Sequence, residues 1–484
     1  MKKILVTGAT GYVGGRLVSE LVSRGYQVRV LARGAERLSG HSWINKVEVV
    51  DGDAHSREVL SKALEGIDVA YYLLHALMSA SNFEAEEEMI AKLFGDIARE
   101  KNVSRIVYLG GLAPTHQKLS PHLQSRVETG AILLASGVPT IELRAGVVIG
   151  SGSASFEMLR YLTERLPAMI TPRWVDTKIQ PIAIRDVLHY LAGAAEVNLD
   201  ISGSFDVGGP DIFTYREMMQ EYAKAAGLRR RLIIPVPVLT PTLSAGWVGF
   251  VTPVPVTLAK RLVESLKNEV ICRNDDIRKI IPDPVDGLTP FSRAVSFALT
   301  KIKEADVPTR WSDAQTPGAP SQSLPTDPEW SGGSLYRDVR KETLNVPIEN
   351  AWRIVESIGG KNGYYAATWI WHLRGFLDRL IGGVGLRRGR RDPEKLHVGD
   401  ALDFWRVEKV ESPHLLRLRA EMKLPGLAWL EFSLESNNGK TTLVQQATFA
   451  PRGLFGHMYW WVIAPFHEFI FPKMAKEIMK RASQ

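Results

Sequence analysis

The chain has 484 residues, of which 45% are hydrophobic and 23% are charged, and its formal net charge is +7 at pH 7. This length predicts two or three domains with their own cores, and the composition is typical of a soluble globular protein. The one cysteine, Cys272, excludes an internal disulfide and a cysteine-based metal site, so we expect a cytoplasmic location and no metal. The basic excess is mild and no nucleic-acid-binding motif accompanies it, so nucleic acid is not expected as a partner.

The first 22 residues have the pattern of a strand, a glycine-rich turn and a helix. Residues 3–7 are an apolar strand, which leaves no room for a signal peptide, and residues 15–22 have a helical apolar stripe. Between them, Gly8 permits a tight turn, Gly11 lets the backbone approach a pyrophosphate, and Gly14 lets helix and strand pack closely. The pattern favours a dinucleotide site at the helix N-terminus over a glycine turn without a ligand. The predicted cofactor contacts in this turn are Gly8, Thr10, Gly11, Tyr12, Val13 and Gly14.

The spacing Gly-x-x-Gly-x-x-Gly in Thr7–Gly14 resembles the fingerprint of extended and atypical short-chain dehydrogenase/reductases. This resemblance implies an NAD(P)-binding Rossmann domain related to the NAD-dependent epimerases and dehydratases. Independently, apolar strands alternate with helical stretches from residue 27 to residue 149. The alternation predicts an α/β fold with a doubly wound parallel sheet.

The ends of the second, third and fourth predicted strands hold three further candidate cofactor residues. Residues 28–35 contain no Asp or Glu, and Arg33 stands at the strand tip, which favours the 2′-phosphate of NADP(H) over NAD. The resemblance places Asp53 by the adenine ring, although a helix N-cap or turn aspartate is the alternative. His75 follows the fourth strand, where such sheets bind ligands, and is otherwise a structural histidine.

The sequence departs from the family pattern at the positions where the catalytic residues are expected. Most short-chain dehydrogenases have a serine at the end of the fifth strand and then Tyr-x-x-x-Lys on the next helix. Here the strand ends in Gly110 and Gly111, and the helix carries His122 and Arg126 in place of the tyrosine and lysine. In one interpretation His122 is the proton donor, since histidine titrates near neutral pH, and Arg126 orients the substrate or the nicotinamide ribose. In the other, acid catalysis is lost, and the chain either transfers hydride to an acceptor that needs little help from protonation or only binds the nucleotide.

Residues 151–300 resemble the substrate-binding lobe of extended short-chain dehydrogenases, which makes 1–300 one unit with its lobe. Within it, residues 232–258 carry no charge but contain five prolines, which argues against a membrane-spanning helix. We expect an apolar wall of the substrate pocket there, with peripheral membrane contact through 232–258 as the alternative. Both interpretations favour a hydrophobic small molecule as substrate.

Residues 301–334 are rich in Pro, Ser and Thr and are predicted to be a linker. In residues 335–484, one strand, short helices, four strands in series and a long last helix follow one another. This order resembles the α+β helix-grip fold of START and polyketide-cyclase-like proteins, which implies a cavity for an apolar ligand. The Arg387–Arg391 run is predicted to be a solvated loop.

Taken together, the sequence predicts an NADP(H)-dependent oxidoreductase acting on a hydrophobic small molecule. The alternative is a non-catalytic nucleotide sensor or assembly factor whose C-terminal domain binds an apolar ligand. The sequence leaves the substrate and the oligomeric state open.

Overall fold

The computed structural model describes residues 2–38, 41–74, 83–236, 252, 256–303, 335–380, 395–437 and 439–484. The chain divides into two units, Met1–Gly333 and Ser334–Gln484. Of the predicted linker 301–334, residues 301–303 end a helix and the rest lies outside the described residues. Three other predicted features also lie outside the described residues: His75, the Arg387–Arg391 run, and most of residues 237–255.

The first unit alternates strands and helices for most of its length. Its strands are β1 (Lys3–Thr7), β2 (Gln27–Ala32), β3 (Glu48–Asp51), β4 (Val69–Tyr72), β5 (Arg105–Gly111), β6 (Thr140–Ala145), β7 (Val148–Ile149), β8 (Ala168–Pro172), β9 (Lys178–Ile179), β10 (Ile182–Ala183), β11 (Gly203–Val207), β12 (Phe213–Thr214) and β13 (Leu232–Val236). Its helices are α1 (Tyr12–Ser23), α2 (Arg57–Leu64), α3 (Phe83–Glu100), α4 (Pro121–Leu134), α5 (Ala154–Arg165), α6 (Ile184–Ala194), α7 (Tyr215–Ala225), α8 (Val256–Ser265), α9 (Ile277–Ile280) and α10 (Phe291–Lys303).

Seven strands form one parallel sheet in the order β11-β6-β5-β4-β1-β2-β3. The chain leaves β1 towards β2 and returns on its other side at β4, so the strand order reverses between β1 and β4. In sheets of this kind, ligands bind beyond the carboxyl ends of the strands at that reversal. The predicted α/β fold class, a doubly wound parallel sheet, is confirmed.

The central strands are apolar on both faces because helices cover both sides of the sheet. Ile4 and Val6 of β1 pack into one core with α1 and α6, and Leu5 between them packs into the opposite core with α2 and α3. Successive strand residues point to opposite faces, so a buried parallel strand needs an unbroken apolar run. This requirement accounts for the strand pattern that the sequence already shows.

The second half of the first unit forms a lobe with its own core. Its short sheets pair β7 with β10, β8 with β13 and β9 with β12. Phe156 and Leu159 of α5 pack against Tyr222 of α7 and Val263 of α8 in this core. Of the predicted apolar segment 232–258, β13 is described, and Leu232 and Ile234 on it are exposed.

The second unit is an antiparallel sheet packed against helices. Its elements are β14 (Tyr336–Leu344), α11 (Ile348–Glu356), α12 (Thr368–Leu380), β15 (Ala401–Leu402), β16 (Trp405–Glu411), β17 (Leu415–Ala420), β18 (Gly426–Asn437), β19 (Lys440–Pro451) and α13 (Gly453–Ala482). The strand order is β14-β19-β18-β17-β16-β15, so the first strand pairs with the last of the meander. One face of α13 packs into the core of this unit, and Pro465 and Pro472 lie within that helix. In the described part of the chain, no helix is both long and apolar enough to cross a membrane.

Candidate functional site

A cleft of about 560 Å³ lies at the carboxyl ends of the central strands. One side is formed by the turn between β1 and α1, the ends of β2, β4 and β5, and the first half of α4. The lobe closes the other side, chiefly with Met158, Tyr215, Leu262, Leu266 and Val270. The predicted site residues that line this cleft are Gly8, Thr10, Gly11, Tyr12, Val13, Gly14, Arg33, Asp53, His122 and Arg126. The remaining one, His75, lies outside the described residues.

The glycine turn is shaped so that side chains do not fit at two of its positions. Gly8 has a φ of +70°, and a Cβ on it would lie 2.4 Å from the Leu73 carbonyl oxygen. A Cβ on Gly14 would lie 2.2 Å from the Gly8 carbonyl oxygen, which Gly11 N–H contacts at 2.9 Å. Both distances are far shorter than any carbon–oxygen contact, so the turn requires glycine there.

The start of α1 is suited to an anion. Gly11 is the N-cap and has no side chain to accept from the first N–H groups, and the first turn contains no acidic residue. These N–H groups and the positive end of the helix dipole are therefore available to phosphate oxygens. The turn lines the cleft, so the residues present fit a dinucleotide pyrophosphate.

Arg16, on helix α1 just after this turn, is a buried residue that the sequence analysis missed. Its guanidinium carbon lies 4.0 Å from the centre of the Tyr12 ring and its nitrogens donate to the carbonyl oxygens of Tyr12 and Ser151, at 2.9 and 3.4 Å. A Cβ on Gly150 would lie 2.3 Å from the Tyr12 hydroxyl. Arg16 therefore joins the cofactor turn to the first residues of the lobe. A basic residue on a helix face gives no sign in sequence that it is buried.

Arg33 and Asp53 lie beside each other at the rim of the cleft. Arg33 Nη1 is 3.5 Å from Asp53 Oδ2, and the Arg33 side chain is 72% exposed. Asp53 Oδ1 also accepts from the backbone N–H of His55 and contacts its Nδ1 at 2.6 Å. Partial burial acts to raise the pKa of Asp53, but the two hydrogen bonds from His55 outweigh it and hold the pKa below its usual value.

The role of Asp53 as a helix N-cap, one alternative from the sequence, is wrong. The N-cap of α2 is Ser56, whose hydroxyl oxygen accepts from Val59 N–H. Asp53 instead closes a turn onto His55, and the other ring nitrogen of His55 contacts Glu86 at 3.1 Å. Asp53 thus combines a turn role with a place on the cleft wall.

His122 and Arg126 lie one helical turn apart on α4 and both line the cleft. The guanidinium of Arg126 donates to the Leu109 carbonyl oxygen at the end of β5 and lies 5.8 Å from the centre of the Tyr108 ring. Ser120 begins the helix by accepting from Leu123 N–H, which places His122 in the first turn. The structure therefore brings together the two residues that the sequence analysis proposed as catalytic.

The glycines at the end of β5 make room for two charged side chains. A Cβ on Gly111 would lie 3.3 Å from Arg126 Nε, and one on Gly110 would lie 2.7 Å from Glu142 Oε1. Burial raises the pKa of Glu142, although the Ser204 hydroxyl that donates to it acts in the opposite direction. Glycine at both positions thus leaves space for the side chains of Arg126 and Glu142.

Tyr108 is not among the residues that line the cleft. It is buried on β5, and its hydroxyl donates to the Arg126 carbonyl oxygen at 3.2 Å. Burial raises the pKa of Tyr108 to about 12, although the positive charge of Arg126 opposes this effect. A phenol held in this way keeps its proton at neutral pH.

A buried carboxylate on α3, Glu87, also lines the cleft and was not predicted. Only 6% of Glu87 is exposed, and it accepts a hydrogen bond from the Ser125 hydroxyl on α4. In sequence it belongs to an acidic run, Glu84–Glu88, whose pattern is typical of a solvated helix face. Only the packing of α3 against α4 distinguishes Glu87 from its neighbours.

Comparison with known families supports the assignment of the turn. Residues 8–135 match the family described as NAD(P)H-binding, so the predicted NAD(P)H-binding domain is confirmed. Residues 330–474 match a family described as "Protein of unknown function (DUF2867)". The resemblance of residues 335–484 to START-like proteins therefore stays a prediction.

Curated relatives align with part of the chain. The mitochondrial NADH dehydrogenase [ubiquinone] 1 alpha subcomplex subunit 9 of Arabidopsis thaliana is 23% identical over 223 residues, 44% of this chain and 56% of that protein. A 3 beta-hydroxysteroid dehydrogenase/Delta 5-->4-isomerase of Mycobacterium tuberculosis is 37% identical over 70 residues, 14% of this chain and 18% of that protein. A ceramide reductase of Caulobacter vibrioides is 26% identical over 237 residues, 48% of this chain and 72% of that protein. The chain thus spans about half the length of the first relative and under a fifth of the second.

A solved structure has the same fold as the first unit. A nucleoside-diphosphate-sugar epimerase from Staphylococcus aureus aligns with a TM-score of 0.50 and 18% identity, over 61% of this chain and all of that chain. At this identity the likeness shows the fold alone. The first unit is therefore a Rossmann-like domain of the type found in NAD(P)H-binding reductases and epimerases.

Proposed function

We propose that this protein is an NADP(H)-dependent oxidoreductase that acts on a hydrophobic small molecule. The observation that carries the proposal is the continuity of the cleft, which runs from the glycine turn to an apolar wall contributed by the lobe. His122 and Arg126 line that same cleft. A coenzyme at one end and an apolar substrate at the other would meet near α4.

The preference for NADP(H) rests on the end of β2. No Asp or Glu occurs in residues 28–35, so no carboxylate stands at the position that binds the ribose hydroxyls of NAD. Arg33 is exposed at the rim and its guanidinium suits a 2′-phosphate in charge and geometry. Asp53 holds this guanidinium beside the cleft until a phosphate competes for it.

In the proposed reaction each α4 residue has one role. The nicotinamide coenzyme, when bound, supplies or accepts a hydride. His122 donates a proton to the carbonyl oxygen of a substrate undergoing reduction, and takes it back in the reverse direction. Arg126, held by the Leu109 carbonyl oxygen, stabilises the negative charge that develops on that oxygen.

The substrate class is inferred from the cleft wall and from the relatives. Met158, Leu262, Leu266 and Val270 offer an apolar surface with few hydrogen-bonding groups. One relative is named as a ceramide reductase and another as a 3 beta-hydroxysteroid dehydrogenase/Delta 5-->4-isomerase, so both names refer to hydrophobic compounds. We therefore propose a hydrophobic small molecule as the substrate, a cytoplasmic location, and an apolar ligand for the C-terminal unit.

One observation favours a second function, that of a non-catalytic nucleotide-binding component of an assembly. The Arabidopsis relative is named as a subunit of a larger dehydrogenase. In this alternative the dinucleotide stabilises the fold, as any ligand that binds only the native state does, and no substrate is turned over.

The test is native mass spectrometry of the full chain purified without added ligands, followed by a turnover assay. We expect bound NADP(H) together with an apolar compound, and oxidation of added NADPH when that compound, or its carbonyl form, is supplied. Bound nucleotide without any apolar compound and without turnover of lipid ketones would overturn the enzymatic proposal and support the second function. No bound or titratable nucleotide would overturn both.

A further inference from the structure

The second unit exposes a row of large apolar side chains along α13. Phe455, Met458, Val462, Phe466 and Phe469 follow each other at intervals of three or four residues, so they share one helical face. Each is at least half exposed, and Phe455 reaches 72%. Trp461, beside this row, is 70% exposed. A surface helix of a globular unit normally presents polar side chains to water, whereas this face is apolar.

The helix α12 carries a matching row. Trp369, Leu373, Phe376 and Leu380 are spaced by three or four residues and are all strongly exposed. The two helices contact each other, because Arg374 Nη2 of α12 lies 3.5 Å from the Tyr459 hydroxyl of α13. We call these two rows, together with Trp461, the α12–α13 surface.

The exposure does not come from a loosely attached helix. The opposite face of α13 is buried: Ile470, Phe471 and Met474 lie in the core of the unit, and Trp460 is also buried. His457, on the same buried face, contacts the Tyr336 hydroxyl of β14 at 2.8 Å through its Nδ1. The helix is therefore fixed on the sheet, and its apolar rows are displayed by a packed scaffold. Exposed apolar rows on a packed scaffold of this kind indicate an interaction site.

The distribution of charge along the chain indicates which kind of partner binds at that site. Residues 1–333 contain 37 basic and 37 acidic residues, whereas residues 334–484 contain 23 basic and 16 acidic residues. The whole net charge of +7 therefore lies in the second unit. At one end of the α13 row, Lys473 Nζ lies 3.5 Å from the centre of the Phe469 ring, which joins cation and aromatic side chain in one place.

We propose that the α12–α13 surface docks on an anionic lipid bilayer, with its aromatic rows in the headgroup region and the basic unit facing the lipid charge. Trp and Phe are the side chains that favour the membrane interface, and basic groups near such a face add attraction to anionic lipid. A second copy of the chain fits less well, because two units that each carry seven excess positive charges repel each other. The proposal concerns a different surface from the cleft and does not depend on its function.

The test uses the full chain and vesicles of phosphatidylcholine, with and without one third phosphatidylglycerol. We expect flotation of the protein with the anionic vesicles, weaker flotation with the neutral ones, and a loss of binding as salt is raised. The double substitution W461S/F466S should lower the partition coefficient at least about tenfold, since it removes two large apolar groups from the interface. The control is Val398→Ser, because Val398 is 66% exposed in the same unit but outside the surface.

Folding is checked in parallel through the melting temperature and NADPH affinity, which neither set of substitutions should change. The proposal is overturned if wild-type protein does not float with anionic vesicles, or if W461S/F466S floats as well as Val398→Ser. It is also overturned if size-exclusion chromatography with light scattering shows that W461S/F466S converts a dimer into a monomer, since the surface would then join two copies. A failure of NADPH binding would contradict the proposed function and leave this surface untouched.

Discussion

The guanidinium of Arg33 and the carboxylate of Asp53 form an ion pair, 3.5 Å from Nη1 to Oδ2, at the rim of the dinucleotide cleft. The two residues come from the ends of neighbouring strands, β2 and β3, which pair in parallel. The pair is exposed, so it contributes little to stability. The pair instead matters for coenzyme binding. Arg33 places a positive charge where a 2′-phosphate would lie, and Asp53 places a negative charge beside it.

The first prediction follows from this pair. Arg33→Ala should weaken NADPH binding by about 10- to 100-fold, the range expected for one charge-assisted phosphate contact, and leave NADH binding within about twofold. The released Asp53 carboxylate adds to the loss by repelling the phosphate. Isothermal titration with both coenzymes measures this. Arg57→Ala is the matched control, since Arg57 is exposed on α2 and pairs with Glu100 away from the cleft. Equal loss for both coenzymes would contradict a 2′-phosphate role.

The second prediction concerns the glycine turn. Gly11 has a φ of −88°, and a Cβ on it would lie 3.1 Å from the Gly8 carbonyl oxygen, so Gly11→Ala is compatible with the fold after a small shift. The added methyl group would point into the approach of the pyrophosphate. We expect affinity for NADPH and NADH to fall by at least about tenfold, with a melting temperature within a few degrees of wild type.

Gly66→Ala serves as the comparison for the glycine turn. Gly66 lies in a turn remote from the cleft, and a Cβ on it meets no atom within 4 Å. Its φ of +67° makes alanine mildly strained, so this variant should lose some stability and keep full coenzyme affinity. If Gly11→Ala binds both coenzymes normally, the backbone of this turn does not hold the pyrophosphate.

The third prediction tests proton transfer by His122. With a substrate identified by mass spectrometry, His122→Gln should lower kcat by about 10²- to 10⁴-fold, the usual contribution of a general acid, with little change in coenzyme affinity. The pH profile of kcat should lose the limb that depends on the histidine. His116→Gln, an exposed residue in the loop before α4, is the control and should keep wild-type kinetics. Unchanged kcat in His122→Gln would remove this residue from the mechanism.

The fourth prediction is a pH dependence of the second unit. Burial lowers the pKa of His467 to about 4, although the carboxylate of Asp338 acts to raise it. In the unfolded chain the pKa of this histidine is about 6.5, so between these values the unfolded state binds more protons than the native state. The free energy of unfolding therefore has its full value, as far as His467 is concerned, above about pH 6.5, and it decreases as the pH falls towards 4. The loss should reach on the order of 3 kcal/mol at pH 4.

Urea unfolding of wild type and His467→Phe is measured between pH 7 and pH 4. The contribution of His467 is the difference between the two proteins in how much their free energy of unfolding falls over this range. Phenylalanine suits the site, because the His467 ring packs against Trp460 and Phe471, with centroids 5.2 and 4.4 Å away. The exposed His397, replaced by Asn, should leave the pH dependence as in wild type. Parallel pH curves for wild type and His467→Phe would show that the native unit does not lower the pKa of His467.

The sequence determined the features that depend on neighbouring residues in the chain. Alternating apolar strands and helices specify a doubly wound sheet because each buried strand needs apolar residues on both faces. The glycine spacing specifies the cofactor turn because a Cβ on Gly14 would meet the Gly8 carbonyl oxygen, a contact within the turn itself. The pairing of His122 with Arg126 follows from helical periodicity in the same way.

Only the tertiary structure decided which charged residues are buried and which apolar ones are exposed. Glu87, Arg16 and Glu142 have ordinary sequence surroundings, and their burial depends on helices and strands that are distant in the chain. The apolar rows of α12 and α13 look like core residues in sequence, since periodicity shows that a helix has an apolar face but not whether anything covers it. Burial is a property of contacts between distant segments, and those contacts are set by the packing of the whole unit.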